Sequence, residues 1–266
     1  MAAGIGVAML ANPERAVAGI ANSKHDLSSG SSATAQGKSS TISEICVFCH
    51  TPHGSDTSAA VPLWNKALPA GNTFTTYKAL NTSTYDATQG VVGSVSLACL
   101  SCHDGAQAMD SMINAPGSGG YTAGGSTGTA ALKMTGDPIP KIGKDLQNDH
   151  PISMPYAGGL ASGNWTTATT TGFKDADFHP VVGKNINGND VWWVDTAGGT
   201  AGSRDKTDMV LYTRAAGSPN VDGTTLAAAT PFVECASCHD PHQGSNATFL
   251  RIPNTASAVC LACHNK

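Results

Sequence analysis

Charge is scarce in this chain of 266 residues: 13% are Asp, Glu, Lys or Arg, about half the share usual in soluble proteins. The formal net charge is −4 and no run of Lys or Arg occurs, so the electrostatic footprint of a nucleic-acid binder is missing. Aromatic residues make up only 6%, which leaves little with which to build an ordinary apolar core. The chain is nevertheless too weakly charged to be disordered. No stretch approaches the roughly 20 apolar residues of a membrane-spanning helix. Helical periodicity is scarce and no heptad or solenoid period is sustained, which excludes coiled coils and repeat arrays. Something other than apolar side chains is expected to fill the interior.

Cysteine is what the chain does have. All eight Cys fall into four pairs, each followed at once by His: Cys46-Val-Phe-Cys49-His50, Cys99-Leu-Ser-Cys102-His103, Cys235-Ala-Ser-Cys238-His239 and Cys260-Leu-Ala-Cys263-His264. None is left over for a disulfide. CXXCH is the attachment signature of c-type haem: two thiols form thioethers to the porphyrin edge, and the adjacent imidazole falls beneath the ring to bind iron. Zinc ribbons and redox CXXC sites need no His after the second Cys, and four such His by chance are a roughly one-in-a-million event. The expectation is four covalently attached haem c groups.

Haem c is attached outside the cytoplasmic membrane, so the protein should be exported. Residues 1–18 read as a signal peptide, with an apolar run at Ala2–Ala11 and an A-x-A pattern at Ala16–Ala18. No basic residue precedes that run, which points to a true start upstream. Residues 19–266 then form a single tetrahaem domain with no transmembrane segment. The motifs are unevenly placed, the last two forming a close C-terminal pair. From Asp104 to Glu234 no attachment motif occurs, and Gly-, Ser- and Thr-rich runs such as Ser118–Tyr121 and Ala123–Thr129 read as loops. Asp190–Asp195 and Met209–Thr213 read as short strands joined by a Gly-rich loop. The expected fold is mostly irregular coil with a few short helices and short strands around haems that serve as the core. Asn-x-Ser/Thr triplets at Asn81, Asn164 and Asn246 are compatible with glycosylation, but such triplets are common in a Thr-rich chain.

The histidine count separates carrier from enzyme. Nine His less four proximal ones leave His25, His53, His150, His179 and His242, five candidates for four distal positions. Every iron can be bis-His, and an iron with both axial positions filled has no place for a substrate, whereas catalytic metal sites keep one open. The count favours electron transfer over enzymatic activity. His53 and His242 each follow a proximal His by three residues, too close to span the same porphyrin, so both must reach a neighbouring haem. His150 and His179 precede Pro, which biases them to extended backbone. Met154 is the nearest competing ligand to His150. Lys133, Lys141, Lys144 and Arg251 are candidates to balance the haem propionates.

The order of Ser23-Lys-His25-Asp-Leu27, the motif at His50 with Thr51-Pro-His53, Leu63-Trp-Asn65, the motif at His103, Asn148-Asp-His150-Pro-Ile-Ser153, the motif at His239 with Asp240-Pro-His242, and the terminal motif resembles the OmcE-type tetrahaem cytochromes. Those are extracellular proteins of metal-reducing bacteria that polymerise into haem-wired filaments. The individual motifs are shared with a wider doubled-CXXCH cytochrome family. The resemblance implies distal ligands at His25, His53, His150 and His242, with His179 spare. It also implies a head-to-tail polymer of identical subunits in which one axial His is supplied in trans, His53 first and His25 second. Partners would then be other copies, other multihaem cytochromes or extracellular electron acceptors. The alternative is a soluble periplasmic tetrahaem shuttle with every ligand in cis.

Overall fold

Asn187-Gly188, both at positive φ (52° and 83°), close the two-residue turn that joins the first long hairpin, a geometry that Asn-Gly adopts at little steric cost. The computed structural model describes residues 19–33, 38–39, 42–82, 87–116, 133–136, 140–168, 170–196 and 198–265. The expected signal peptide and the runs at Ser118–Tyr121 and Ala123–Thr129 lie outside them.

Five strands form one antiparallel sheet: β1 (Met154–Pro155), β2 (Val182–Ile186), β3 (Asn189–Val194), β4 (Met209–Arg214) and β5 (Thr230–Val233), in spatial order β1-β5-β4-β3-β2. The hairpin pairs Ile186 with Asn189, and β3 continues onto β4 with Trp192 opposite Leu211. The two strands read from sequence are β3 and β4. The sheet has an apolar core of its own, which the composition did not announce: Tyr156, Phe173, Val181, Trp192, Val194, Met209 and Leu211 pack together on it. Apolar side chains do fill this part of the interior, because the few large ones are concentrated here.

Helices are short. α1 (Ser94–His103) is the longest, and α2 (Cys235–Cys238) and α3 (Ala258–Leu261) are single turns. Among the described residues no helix is long and apolar enough to cross a membrane. The N-terminal part is organised by polar wiring as much as by packing. Lys66 is fully buried and its Nζ donates to the carbonyls of Ala108, Met109 and Ser111 at 2.8, 3.2 and 3.0 Å. Asn65 donates from Nδ2 to Val47 O and Asn114 O, and Asn114 N–H donates back to Asn65 Oδ1 at 2.8 Å.

Glu234 joins the sheet to the helices. Its carboxylate, 1% exposed, accepts from Ser96 Oγ on α1 at 2.6 Å, from Ser153 Oγ at 3.1 Å and from Arg214 Nε and Nη2 on β4 at 3.1 and 2.5 Å. Its backbone N–H donates to Ser237 Oγ, completing a capping box on α2. Burial pushes the Glu234 carboxyl upward and the Arg214 guanidinium pulls it back. Breaking such a pair from one side leaves a buried charge without compensation, so Glu234→Ala is expected to cost about 3–5 kcal/mol in denaturant unfolding followed by far-UV circular dichroism. A loss below about 1 kcal/mol would show the pair to be no more than an exposed salt bridge in its effect.

Candidate haem-binding site

Each CXXCH motif lies on or at the end of a helical turn. Cys46–Phe48 is a 3-10 turn, α1 ends on Cys99–His103, α2 spans Cys235–Cys238 and α3 carries Cys260. Residues three apart on a helix share a face, which brings the two thiols of each motif to one side. The backbone N–H of His50 donates to Cys46 O at 2.8 Å, that of His264 to Cys260 O at 2.9 Å and that of His239 to Cys235 O at 3.2 Å. All eight cysteines are free, as attachment requires.

The imidazoles are held by backbone carbonyls. Nδ1–H of His50 donates to Pro62 O at 2.8 Å, that of His103 to Pro140 O at 2.6 Å and that of His239 to Thr248 O at 2.7 Å. His150 makes the same bond to Pro151 O at 3.0 Å. This outer contact fixes the tautomer and leaves Nε2 with its lone pair free for a metal. Burial, and next the neighbouring His103, bring His25 down to about 4, and burial also lowers His103 and His150. These shifts favour the neutral ring, the form that ligates.

Three proximal imidazoles each lie beside one of the candidate distal ones. Ring centroids are 6.1 Å apart for His50 and His242, 6.2 Å for His25 and His103, and 6.4 Å for His150 and His264. A metal–imidazole bond is about 2.0–2.1 Å and the ring centre lies about 1.1 Å further back, which places two rings trans on one metal about 6.3 Å apart. The observed separations fit an iron between each pair. His242 thus faces the imidazole of the first motif and not that of its own. His25 sits on a packed segment, with Asp26 and Leu27 buried beside it, and its ring lies 6.2 Å from that of His103 in the same chain.

Two candidates and one proximal His stand apart. His53 is exposed, its backbone carbonyl pinned by Thr51 Oγ1 and Asn114 Nδ2. His179 is half-buried behind the last motif, its N–H on Cys263 O at 2.9 Å and its carbonyl accepting from Tyr156 OH at 2.9 Å. His239 is exposed; it lies near enough to His25 and His103 to act on them electrostatically, but among the described residues it forms no ring pair like those three. Met154 is taken up in β1, paired with Val233. Arg251, 9% exposed, donates to the carbonyls of Ala236 and Lys206, so its guanidinium is largely committed to the backbone.

The thiols are arranged in series. Cys49 of the first motif is close enough to Cys102 of the second to interact electrostatically. Cys99 of the second lies within hydrogen-bonding reach of Cys235 of the third. Cys238 of the third neighbours both Cys260 and Cys263 of the fourth. The attachment edges therefore follow one another in chain order, although the second and third motifs are far apart in sequence.

Residues 230–266 match the family described as Doubled CXXCH motif. This motif is that of multihaem c-type cytochromes. No curated protein matches the chain. The matched segment holds the motifs at His239 and His264; CXXCH motifs imply covalently attached haem c, and the chemistry they support is haem-borne electron transfer. Motif reading missed the carbonyls of Pro62, Pro140 and Thr248, since no spacing rule marks a backbone acceptor. Replacing His242 by Ala is expected to turn one haem high-spin in the absorption spectrum, while His179→Ala leaves the low-spin bands unchanged. A fully low-spin His242→Ala protein, or a high-spin His179→Ala protein, would sink the pairing.

Proposed function

We propose that the protein carries four haem c groups, one on each CXXCH motif, and conducts electrons along them as a subunit of an extracellular head-to-tail polymer of the OmcE kind. The observation that carries this reading is the mismatch at His239 and His53. Three proximal imidazoles have an in-chain imidazole at 6.1–6.4 Å, whereas no such ring pair involves His239 or His53 among the described residues. In the polymer, His53 of one copy completes the position opposite His239 of the next. His179 is left as the spare.

When bound, haem c supplies Fe(III)/Fe(II) couples that take up and release single electrons. The chain's residues do the rest. His50, His103, His239 and His150, held by the carbonyls of Pro62, Pro140, Thr248 and Pro151, would hold the irons together with their partner imidazoles, so little would have to move as charge passes. With no axial position left open, the arrangement disfavours the chemistry of a reductase. Bis-His ligation also implies lower potentials than His/Met ligation, which suits disposal of respiratory electrons to an external acceptor or to another multihaem cytochrome. The serial proximity of Cys49 to Cys102, Cys99 to Cys235, and Cys238 to Cys263 supports an electron path in motif order.

A donor on one surface and an acceptor on another make a heterologous contact, which generates a filament when the rotation does not close. Electron microscopy of the haem-containing extracellular fraction is expected to show filaments, and His53→Ala to give unassembled subunits with one high-spin haem. Discrete wild-type particles with all eight axial ligands from one chain would replace this reading with that of a periplasmic shuttle.

A further inference from the structure

The geometry points to Phe249 as a positioning residue that holds the His25 imidazole nearly perpendicular to that of His103 and so sets that haem electronically apart from the haem on Cys46 and Cys49. This rests on the bis-His reading above. It goes beyond it by assigning a role to a side chain that touches no iron.

Phe249 lies flat on His25, with ring centroids 4.1 Å apart and planes 16° from parallel. The His25 and His103 planes stand at 76°, whereas those of His50 and His242 are at 13°. An imidazole donates π density from the orbital normal to its ring. Two parallel rings raise the same iron d orbital and split the dxz/dyz pair, while two perpendicular rings raise one each and leave the pair nearly degenerate. The first arrangement gives a rhombic low-spin signal in electron paramagnetic resonance, the second a highly anisotropic one. Ligand orientation is thereby a lever on iron electronics, set by groups behind the ligands.

The backbone beneath Phe249 shows that its placement is imposed. Thr248 and Phe249 both adopt left-handed conformations, at φ 54° and 58°, which β-branched and bulky residues rarely do and which persist only where their surroundings dictate them. Those surroundings are specific. Thr248 O accepts from His239 Nδ1–H at 2.7 Å, Phe249 O accepts from Asp240 N–H at 2.8 Å, and Leu250 O accepts from Asn246 Nδ2 at 2.8 Å. Arg251 N–H donates to Cys238 O at 2.9 Å. One short loop therefore orients the proximal imidazole of the third motif and presses a ring onto the distal imidazole of the second. These are the two motifs whose thiols Cys99 and Cys235 meet.

The test is low-temperature electron paramagnetic resonance of the oxidised, fully haem-loaded protein, comparing wild type with Phe249→Asn and Phe249→Tyr. Asn tolerates the left-handed backbone, so Phe249→Asn removes the ring without adding strain; Phe249→Tyr retains the stack. Wild type is expected to show rhombic and highly anisotropic low-spin components. In Phe249→Asn one anisotropic component should move toward the rhombic range or broaden, with haem content and low-spin absorption unchanged, and Phe249→Tyr should restore it. An all-low-spin envelope identical in wild type and Phe249→Asn would overturn the role of Phe249 and leave bis-His ligation standing. A wild-type high-spin signal that His25→Ala does not increase would instead overturn the ligation on which the proposal rests.

Discussion

Two imidazoles on one iron must face each other at a separation set by two metal–nitrogen bonds. Here it recurs three times, between segments remote in sequence: His25 with His103, His50 with His242, and His150 with His264. An iron joining such a pair would close a long loop and remove conformational freedom from the unfolded chain, as a cross-link does. Such closures would help to specify a chain with little regular structure before residue 154. The wiring of Asn65 and Lys66 to carbonyls serves the same end, because irregular backbone leaves acceptors that a ladder would otherwise occupy.

The sheet and the haem-binding segments are joined at Glu234. Ser96 places the carboxylate against α1, Arg214 against β4, and the capping box against α2. The carboxylate and guanidinium neutralise each other beside Cys99 and Cys235, so this junction brings two attachment edges together without placing a net charge between them. Arg214 also lies over the Phe232 ring at 4.6 Å, which ties the junction into the apolar face of β5. The junction thus registers the second and third motifs on the sheet, while the sheet's apolar core packs against Cys238 and Cys263 of the third and fourth.

The attachment chemistry that the CXXCH motifs imply was legible in the sequence, because CXXCH encodes it within one helical turn. The expectation that His242 does not serve the motif three residues before it accords with its ring lying 6.1 Å from that of His50. Which haem His242 would reach was not legible, for that depends on the path of the whole chain; the same holds for His25, whose engagement with His103 follows from the packing of Asp26 and Leu27. The sheet was only half visible. Asn187-Gly188 is a strong hairpin signal, but Lys184 and Asn185 on β2 are exposed and blur its pattern. Pro231 argues against a strand at β5, and the two residues of β1 carry no periodicity at all.

The positions of His53 and His239 bear on how copies would join. His53 follows the first motif, and His239 belongs to the third, next to last in the series defined by the thiols. A two-fold exchange, each copy lending His53 to the other, would satisfy both irons but fold the haem series back on itself. A one-way exchange places the first motif of one copy beside the last two motifs of its neighbour, which is where a linear series has to be met if it is to continue. In that proposal the ligand that completes an iron would also set the spacing between copies, and a conductor of indefinite length would follow from that single repeated bond.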